Sequence, residues 1–225
     1  MKLKVCGMKY KDNIQAVANL QPDYLGFIFY DQSARHFNTT IPELPKTIKK
    51  VGVFVNAKVD FIVDMISKHN LHAVQLHGNE SPEYCDKLRK VCHAELVSES
   101  QLKPKNDVIE IIKVFSIKDE FNFKQLEAYE DVIDYFLFDT KGKLPGGNGF
   151  TFNWNVLKDY PSTKPYFLSG GIGINEVESV LAFLQKPESQ YCYAIDVNSK
   201  FEIEPGLKNI AALEKFKTQV TSSDF

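Results

Sequence analysis

Residues 3–29 read LKVCGMKYKDNIQAVANLQPDYLGFIF. An apolar run, Leu3–Gly7, leads into an amphipathic stretch, Asp12–Leu20, and then into a second β-rich run, Tyr24–Phe29. Two strands joined through one helix imply parallel pairing by a right-handed crossover. The alternation continues along the chain. Further strands are expected at Lys50–Val55, Ala73–His77, Ile109–Phe115, Asp134–Asp139, Tyr166–Ser169 and Tyr193–Val197. Helices are expected at Val59–Asn70, Pro82–Val91, Phe123–Tyr129, Glu176–Leu184 and Asn209–Val220. The second and sixth connections are less clear, since Thr40–Lys49 contains Pro42 and Pro45 and Phe152–Tyr160 is short. Eight units in 225 residues come to about 28 residues each, the lower end for one (β/α)8 barrel. The expectation is an α/β, single-domain (β/α)8 TIM barrel with parallel strands spanning residues 1–225. An open doubly wound sheet would need a topological switch point, and eight similar units offer none. The polar segment His93–Asp107 exceeds the roughly two to six residues usual for such a connection, and is read as a surface insertion away from catalysis.

Composition excludes several classes. Apolar residues make up 44% and charged residues 25%, so a packed core is expected rather than disorder. The 27 Lys and Arg nearly balance 29 Asp and Glu, and a net charge of −2 gives no reason to expect nucleic acid or an anionic membrane as partner. Apolar runs fall far short of a membrane span, and Lys2, Lys4, Lys9 and Lys11 break up the first residues, so a soluble, cytoplasmic protein is expected. Five His show no paired ligand spacing, and none of the four Cys has a two-residue spacing, so no metal site is expected. Cys85 and Cys92, seven apart in a helical stretch, read as core thiols.

Active sites of such barrels sit at the carboxyl ends of the strands. Those ends are polar here. Strand one closes on Lys4-Val5-Cys6-Gly7, strand four on Gln75-Leu76-His77, and strand six on Phe138-Asp139-Thr140. Strand seven closes on Ser169-Gly170-Gly171 and strand eight on Asp196-Val197-Asn198-Ser199. Side chains alternate with period two, so Gln75 with His77, Lys4 with Cys6, Leu137 with Asp139, and Asp196 with Asn198 share the face opposite their apolar neighbours. That face is the lumen and mouth. Gly170, Gly171 and Ser199 suit a phosphate held by backbone N–H groups on loops seven and eight, although Gly-Gly pairs also mark ordinary turns. The glycine cluster 144–149 beside Asp139 reads as a lid or as a simple flexible loop.

These residues resemble those of the phosphoribosylanthranilate isomerase family of tryptophan biosynthesis. The likeness runs in order through Lys4-Val5-Cys6-Gly7-Met8, Gly26-Phe27-Ile28-Phe29 with Ser33-Ala34-Arg35, and Val51–Asn56. It continues through Val74–Gly78, Leu137–Asp139, Gly146–Gly149 and Phe152-Asn153-Trp154. It ends with Ser169–Gly171, Asn175–Val177, and Asp196–Ser199 with Glu202 and Pro205-Gly206. Ala34 stands where the family commonly has Pro, and Asn148 where it has Thr or Ser.

The resemblance implies a cofactor-independent Amadori rearrangement of N-(5′-phosphoribosyl)anthranilate. Asp139 would be the general acid and Cys6 the general base. Cys6 would gain thiolate character from helix N-termini at the barrel mouth. Arg35 would fork the anthranilate carboxylate, and Gly170, Gly171 and Ser199 would take the phosphate. Gln75, His77, Gly149, Asp196 and Asn198 complete the implied substrate site, with Lys4 paired to Asp196. The only implied partner is this small phosphosugar–anthranilate substrate, on a monomer or homodimer. Other phosphosugar barrels fit less well: an indoleglycerol-phosphate synthase would want a catalytic Lys and Glu at strand tips, and a ribulose-phosphate epimerase His and Asp metal ligands. A silent phosphosugar-binding barrel would have no use for both Cys6 and Asp139.

Overall fold

The computed structural model describes residues 1–98, 108–118, 120–140 and 151–221. In chain order they form β1 (Lys2–Val5), α1 (Lys11–Asn19), β2 (Tyr24–Ile28), β3 (Lys49–Phe54), α2 (Val59–His69), β4 (Ala73–Leu76) and α3 (Pro82–Ser98). There follow β5 (Glu110–Ile117), β6 (Tyr135–Thr140), β7 (Tyr166–Leu168), α4 (Val177–Leu184), β8 (Cys192–Val197), the short β9 (Glu202–Glu204) and β10 (Leu207–Lys208), and α5 (Ile210–Thr221). Strands β1 to β8 form one closed barrel, each parallel to the next. The seam is made by β8 against β1, with Lys4 opposite Asp196 and Val5 opposite Val197. That pairing rules out the open sheet.

The boundaries differ from expectation in ways with local causes. Connection two forms no regular helix between Thr40 and Pro45, where two prolines lack the N–H that helix propagation needs. Phe123–Tyr129 and Trp154–Asp159 are 3-10 rather than α helices. Asn122 and Asn153 cap them, each side chain accepting from the backbone N–H two residues on. Helix α3 runs through Ser98, so it takes in the first six residues of the segment expected as an insertion. Polarity is no stop signal, and Ala94, Glu95 and Leu96 all favour helix. Residues 99–107 and the glycine cluster 144–149 lie outside the described residues.

Period-two alternation divides the core in two. Inside the barrel, Tyr24, Val51, Ala73, Ile112, Val114, Leu137, Phe167 and Ala194 pack together, all within 6% of full burial. Their neighbours on each strand face the helices and join the larger outer cluster, which also buries Cys85 and Cys92. One register shift between β7 and β8 sets Tyr166 opposite Cys192 but Phe167 opposite Ala194. The extra residue lets Tyr193 as well as Ala194 pack on the inner cluster. Among the described residues no helix is long and apolar enough to cross a membrane.

The amino-terminal end of the lumen is closed by phenols. Tyr24 and Tyr193 hydroxyls meet at 3.0 Å, the Tyr135 ring lies 4.7 Å from the Tyr193 ring, and the Lys2 ammonium sits 4.9 Å over Tyr193. Glu110 accepts from Lys49 and from Tyr24. Burial pushes the phenols of Tyr24, Tyr135 and Tyr166 well above the ordinary tyrosine value. Burial also raises Tyr193, but hydrogen bonds from Lys2, Tyr24 and Tyr135 outweigh it and bring that phenol down. Phenols raised in the folded state contribute stability below the unfolded pKa near 10 and lose it as pH rises towards their folded values. Thermal midpoints should therefore fall from about pH 10 upward, with tyrosinate absorbance rising together with unfolding. A midpoint flat to pH 11, with tyrosinate formed in the folded protein, would contradict this.

Candidate active site

A cavity of about 260 Å³ opens at the carboxyl end of the barrel. Cys6, Arg35, Gln75, His77, Asp139, Gly170, Gly171, Asp196, Asn198 and Ser199 all line it, so ten of the positions read from the sequence meet in one place. Gly149 lies outside the described residues.

Cys6 stands one residue beyond β1, its N–H donating to Val197 O across the seam at 2.9 Å. The thiol has room because β2 carries Gly26 beside it. A Cβ at Gly26 would stand 2.7 Å from Cys6 Sγ and 3.1 Å from its Cα. Gly7 follows with φ +74°, and a Cβ there would lie 2.5 Å from Asn198 Oδ1 and 2.8 Å from Arg35 Cδ. This glycine lets loops one, two and eight converge. Beneath the thiol, Lys4 Nζ donates to Asp196 Oδ1 at 2.8 Å with neither side chain more than 5% exposed. Ser169 Oγ donates to the other Asp196 oxygen at 3.2 Å. The partner expected for Lys4 is thus the one found.

Asp139, at the end of β6, occupies a different wall. Its Oδ1 accepts the Thr140 N–H at 2.8 Å, and its Oδ2 lies 3.6 Å from His77 Nε2, inside ion-pair range but longer than a hydrogen bond. Gln75 Nε2 and His77 Nδ1 are 3.2 Å apart. With Gln75 donating, the neutral ring carries its hydrogen on Nε2, towards Asp139. Among the described residues Gln75 Oε1 is buried with no hydrogen-bond partner, although the residue faces the cavity. The third wall holds Gly170 at φ +91° and Gly171 at φ +68°. A side chain at Gly170 would strike Thr140 Oγ1 at 2.2 Å, so glycine keeps the tips of β6 and β7 together. Beyond it, Glu176 accepts the Gly173 N–H at 2.8 Å and opens the turn into α4.

A family model described as N-(5′-phosphoribosyl)anthranilate (PRA) isomerase matches residues 3–219. The chain belongs to this family. It is 39% identical over 220 residues to the N-(5′-phosphoribosyl)anthranilate isomerase of Phocaeicola vulgatus, covering 98% of each chain. The phosphoribosyl anthranilate isomerase of Thermotoga maritima superposes with TM-score 0.75 at 28% identity, over 99% of both chains. A phosphoribosyl anthranilate isomerase in complex with reduced 1-(o-carboxyphenylamino)-1-deoxyribulose 5-phosphate superposes with TM-score 0.73 at 26% identity, again over 99% of both.

Within the family frame, the electrostatics differ from expectation at two residues. Burial pushes the Cys6 thiol up, Lys4 and Lys208 pull against it, and Asp196 adds to the rise. Burial would lower Lys4, but the Asp196 carboxylate and the Cys6 sulfur outweigh it and hold the ammonium above its ordinary range. Burial pushes the Asp196 carboxyl up against the pull of Lys4, with Asp139 adding to the rise. These two directions oppose each other. The ammonium faces both an oxygen and a sulfur, so the ionised pair is the form that the 2.8 Å contact describes. At Arg35 the difference is geometric: its Nε–Nη2 edge is already filled, donating to Glu202 at 2.6–3.0 Å.

Sequence reasoning missed Lys208 and the pair Glu80–Lys113. Lys208 Nζ, 1% exposed, donates to Asn198 Oδ1 at 2.7 Å and to Glu202 Oε1 at 2.8 Å. Glu80 accepts backbone N–H groups of Asn56 and Gly78 and pairs with Lys113 Nζ at 3.1 Å, tying the tips of β3 and β4. A lone Lys flanked by Leu207 and Asn209 is the available signal for the first; an apolar strand interrupted by Lys113 is the signal for the second. A small alkylating agent should modify Cys6 slowly at pH 7, with a rate climbing steeply above pH 9 and absent from Cys6→Ser. Full reactivity at pH 7, independent of pH above it, would show a preformed thiolate.

Proposed function

We infer that the chain isomerises N-(5′-phosphoribosyl)anthranilate to 1-(2-carboxyphenylamino)-1-deoxyribulose 5-phosphate, as an aldose–ketose isomerase of tryptophan biosynthesis. The observation carrying this reading is that Cys6, just beyond β1, and Asp139, on β6, line one cavity with Arg35 and the Gly170-Gly171 turn. In the reading, a single barrel domain spans residues 1–225.

The chemistry moves protons only, so acid and base groups suffice. Asp139 gives a proton to the furanose oxygen as the C1′–O bond breaks, leaving a Schiff base. Cys6 then takes the C2′ proton, and the electron pair shifts to reduce the imine through an enol that tautomerises to the ketone. A raised thiol leaves little thiolate at neutral pH, but the thiolate it yields is a strong base, and Lys4 and Lys208 stabilise it once formed. Gln75 Oε1, buried and without a partner among the described residues, suits a sugar hydroxyl as donor. The turn at Gly170 and Gly171, with Ser199, turns backbone N–H groups towards the phosphate, and Arg35 takes the anthranilate carboxylate. His77 lies beside the Asp139 carboxyl and helps to set its orientation.

Purified protein should abolish the fluorescence of the substrate as it turns over. A phosphosugar-binding barrel without catalysis would leave it unchanged. Cys6→Ser and Asp139→Asn should each lower kcat by about 10²-fold or more with the thermal midpoint retained. Near-normal turnover by either variant would remove that residue from its role.

A further inference from the structure

Arg35 carries five N–H donors in two parallel forks, Nε with Nη2 and Nη1 with Nη2. Glu202 fills the first. Its Oε1 accepts from Nε at 2.8 Å, and its Oε2 from Nε at 3.0 Å and Nη2 at 2.6 Å. Among the described residues Nη1 makes no hydrogen bond, and Arg35 lines the cavity. The carboxylate that holds it is itself held: Oε1 also accepts Lys208 Nζ at 2.8 Å and the Gly206 N–H at 3.0 Å. Burial would raise Glu202, but Arg35 and Lys208 outweigh it and keep the carboxyl below its usual range. Glu202 is therefore ionised at neutral pH, saturated and fixed in place.

We propose that Glu202 is a positioning residue for the isomerisation: it grips one edge of Arg35 so that the Nη1–Nη2 edge receives the substrate carboxylate end-on. The site is built for this. The Arg35 backbone N–H is anchored on Ser33 Oγ at 3.1 Å, and its side chain crosses Gly7, where a Cβ would stand 2.8 Å from Cδ. Lys208 joins Glu202 to Asn198, so the same ion network that aims the carboxylate fork also fixes the loop beyond β8. The guanidinium keeps its charge when gripped, and its Nη1–Nη2 edge still attracts an anion. A planar guanidinium held on one fork loses little further freedom when a ligand takes the other.

The proposal rests on the reading of Arg35 as the carboxylate site, and a double-mutant cycle separates the two. Arg35→Ala, Glu202→Gln and the double variant are assayed for KM and kcat with the phosphoribosylanthranilate substrate. Arg35→Ala should raise KM by about a hundredfold, and Glu202→Gln by about tenfold with kcat within about threefold of wild type. In the Arg35→Ala background, Glu202→Gln should add less than about twofold, because nothing remains to aim. An unchanged KM in Arg35→Ala removes the carboxylate site, and the proposal with it. A raised KM there, with additive effects of Glu202→Gln or a loss confined to kcat, keeps the site and overturns the positioning role. If Glu202→Gln does not fold, Glu202→Asp retains the charge but withdraws it by one methylene. It should again raise KM and spare kcat, and a wild-type KM would overturn the proposal.

Discussion

An ammonium group stripped of water sits at the seam where the barrel closes. Lys4 has no exposed surface, and its charge is met by Asp196 at 2.8 Å on the neighbouring strand. Breaking such a buried pair costs roughly 3–5 kcal/mol, because the remaining charge is left without solvent or partner. The first and last strands must therefore meet in one register. That register places Cys6, two residues beyond Lys4, above the ammonium, and sets Ser169 of the seventh unit against the second Asp196 oxygen. Closure of the fold and the surroundings of the thiol are one constraint.

The two ends of the lumen divide the labour. At the amino-terminal end, phenols and the Lys49–Glu110 pair fill the space, and every polar group named there meets another. At the carboxyl end, the small residues Gly26, Gly7 and Gly170 keep space open or let loops approach, and Gln75 Oε1 has no partner among the described residues. Packing that is complete at one end and incomplete at the other fits a scaffold whose cost in stability is confined to the mouth.

The sequence made the strand tips legible because period two is a rigid rule. Once Val74 and Leu76 face the helices, Gln75 and His77 must face the lumen, and the same parity places Lys4, Cys6, Asp139 and Asp196. What it hid were contacts made through distance or absence. Glu202 reaches Arg35 across 167 positions from a three-residue strand that no periodicity reveals. Gly26 acts through the side chain it lacks, and only the nearness of Cys6 Sγ to where a Cβ would stand shows why. The α3 boundary lies beyond expectation because local helix propensity carries the turn through a polar run to Ser98. The thiol's protonation was likewise out of reach, since it turns on how burial weighs against Lys4 and Lys208.

The central claim is that one cavity holds acid and base on different sides of the same sugar. The most direct measurement is a crystal structure of this chain with reduced 1-(o-carboxyphenylamino)-1-deoxyribulose 5-phosphate. The account predicts Cys6 Sγ against C2′ on one side of the sugar chain and the Asp139 carboxyl on the other, with the phosphate on the Gly170-Gly171 turn. A ligand whose C2′ lies out of reach of Cys6, or with Asp139 on the same side as the thiol, would contradict it.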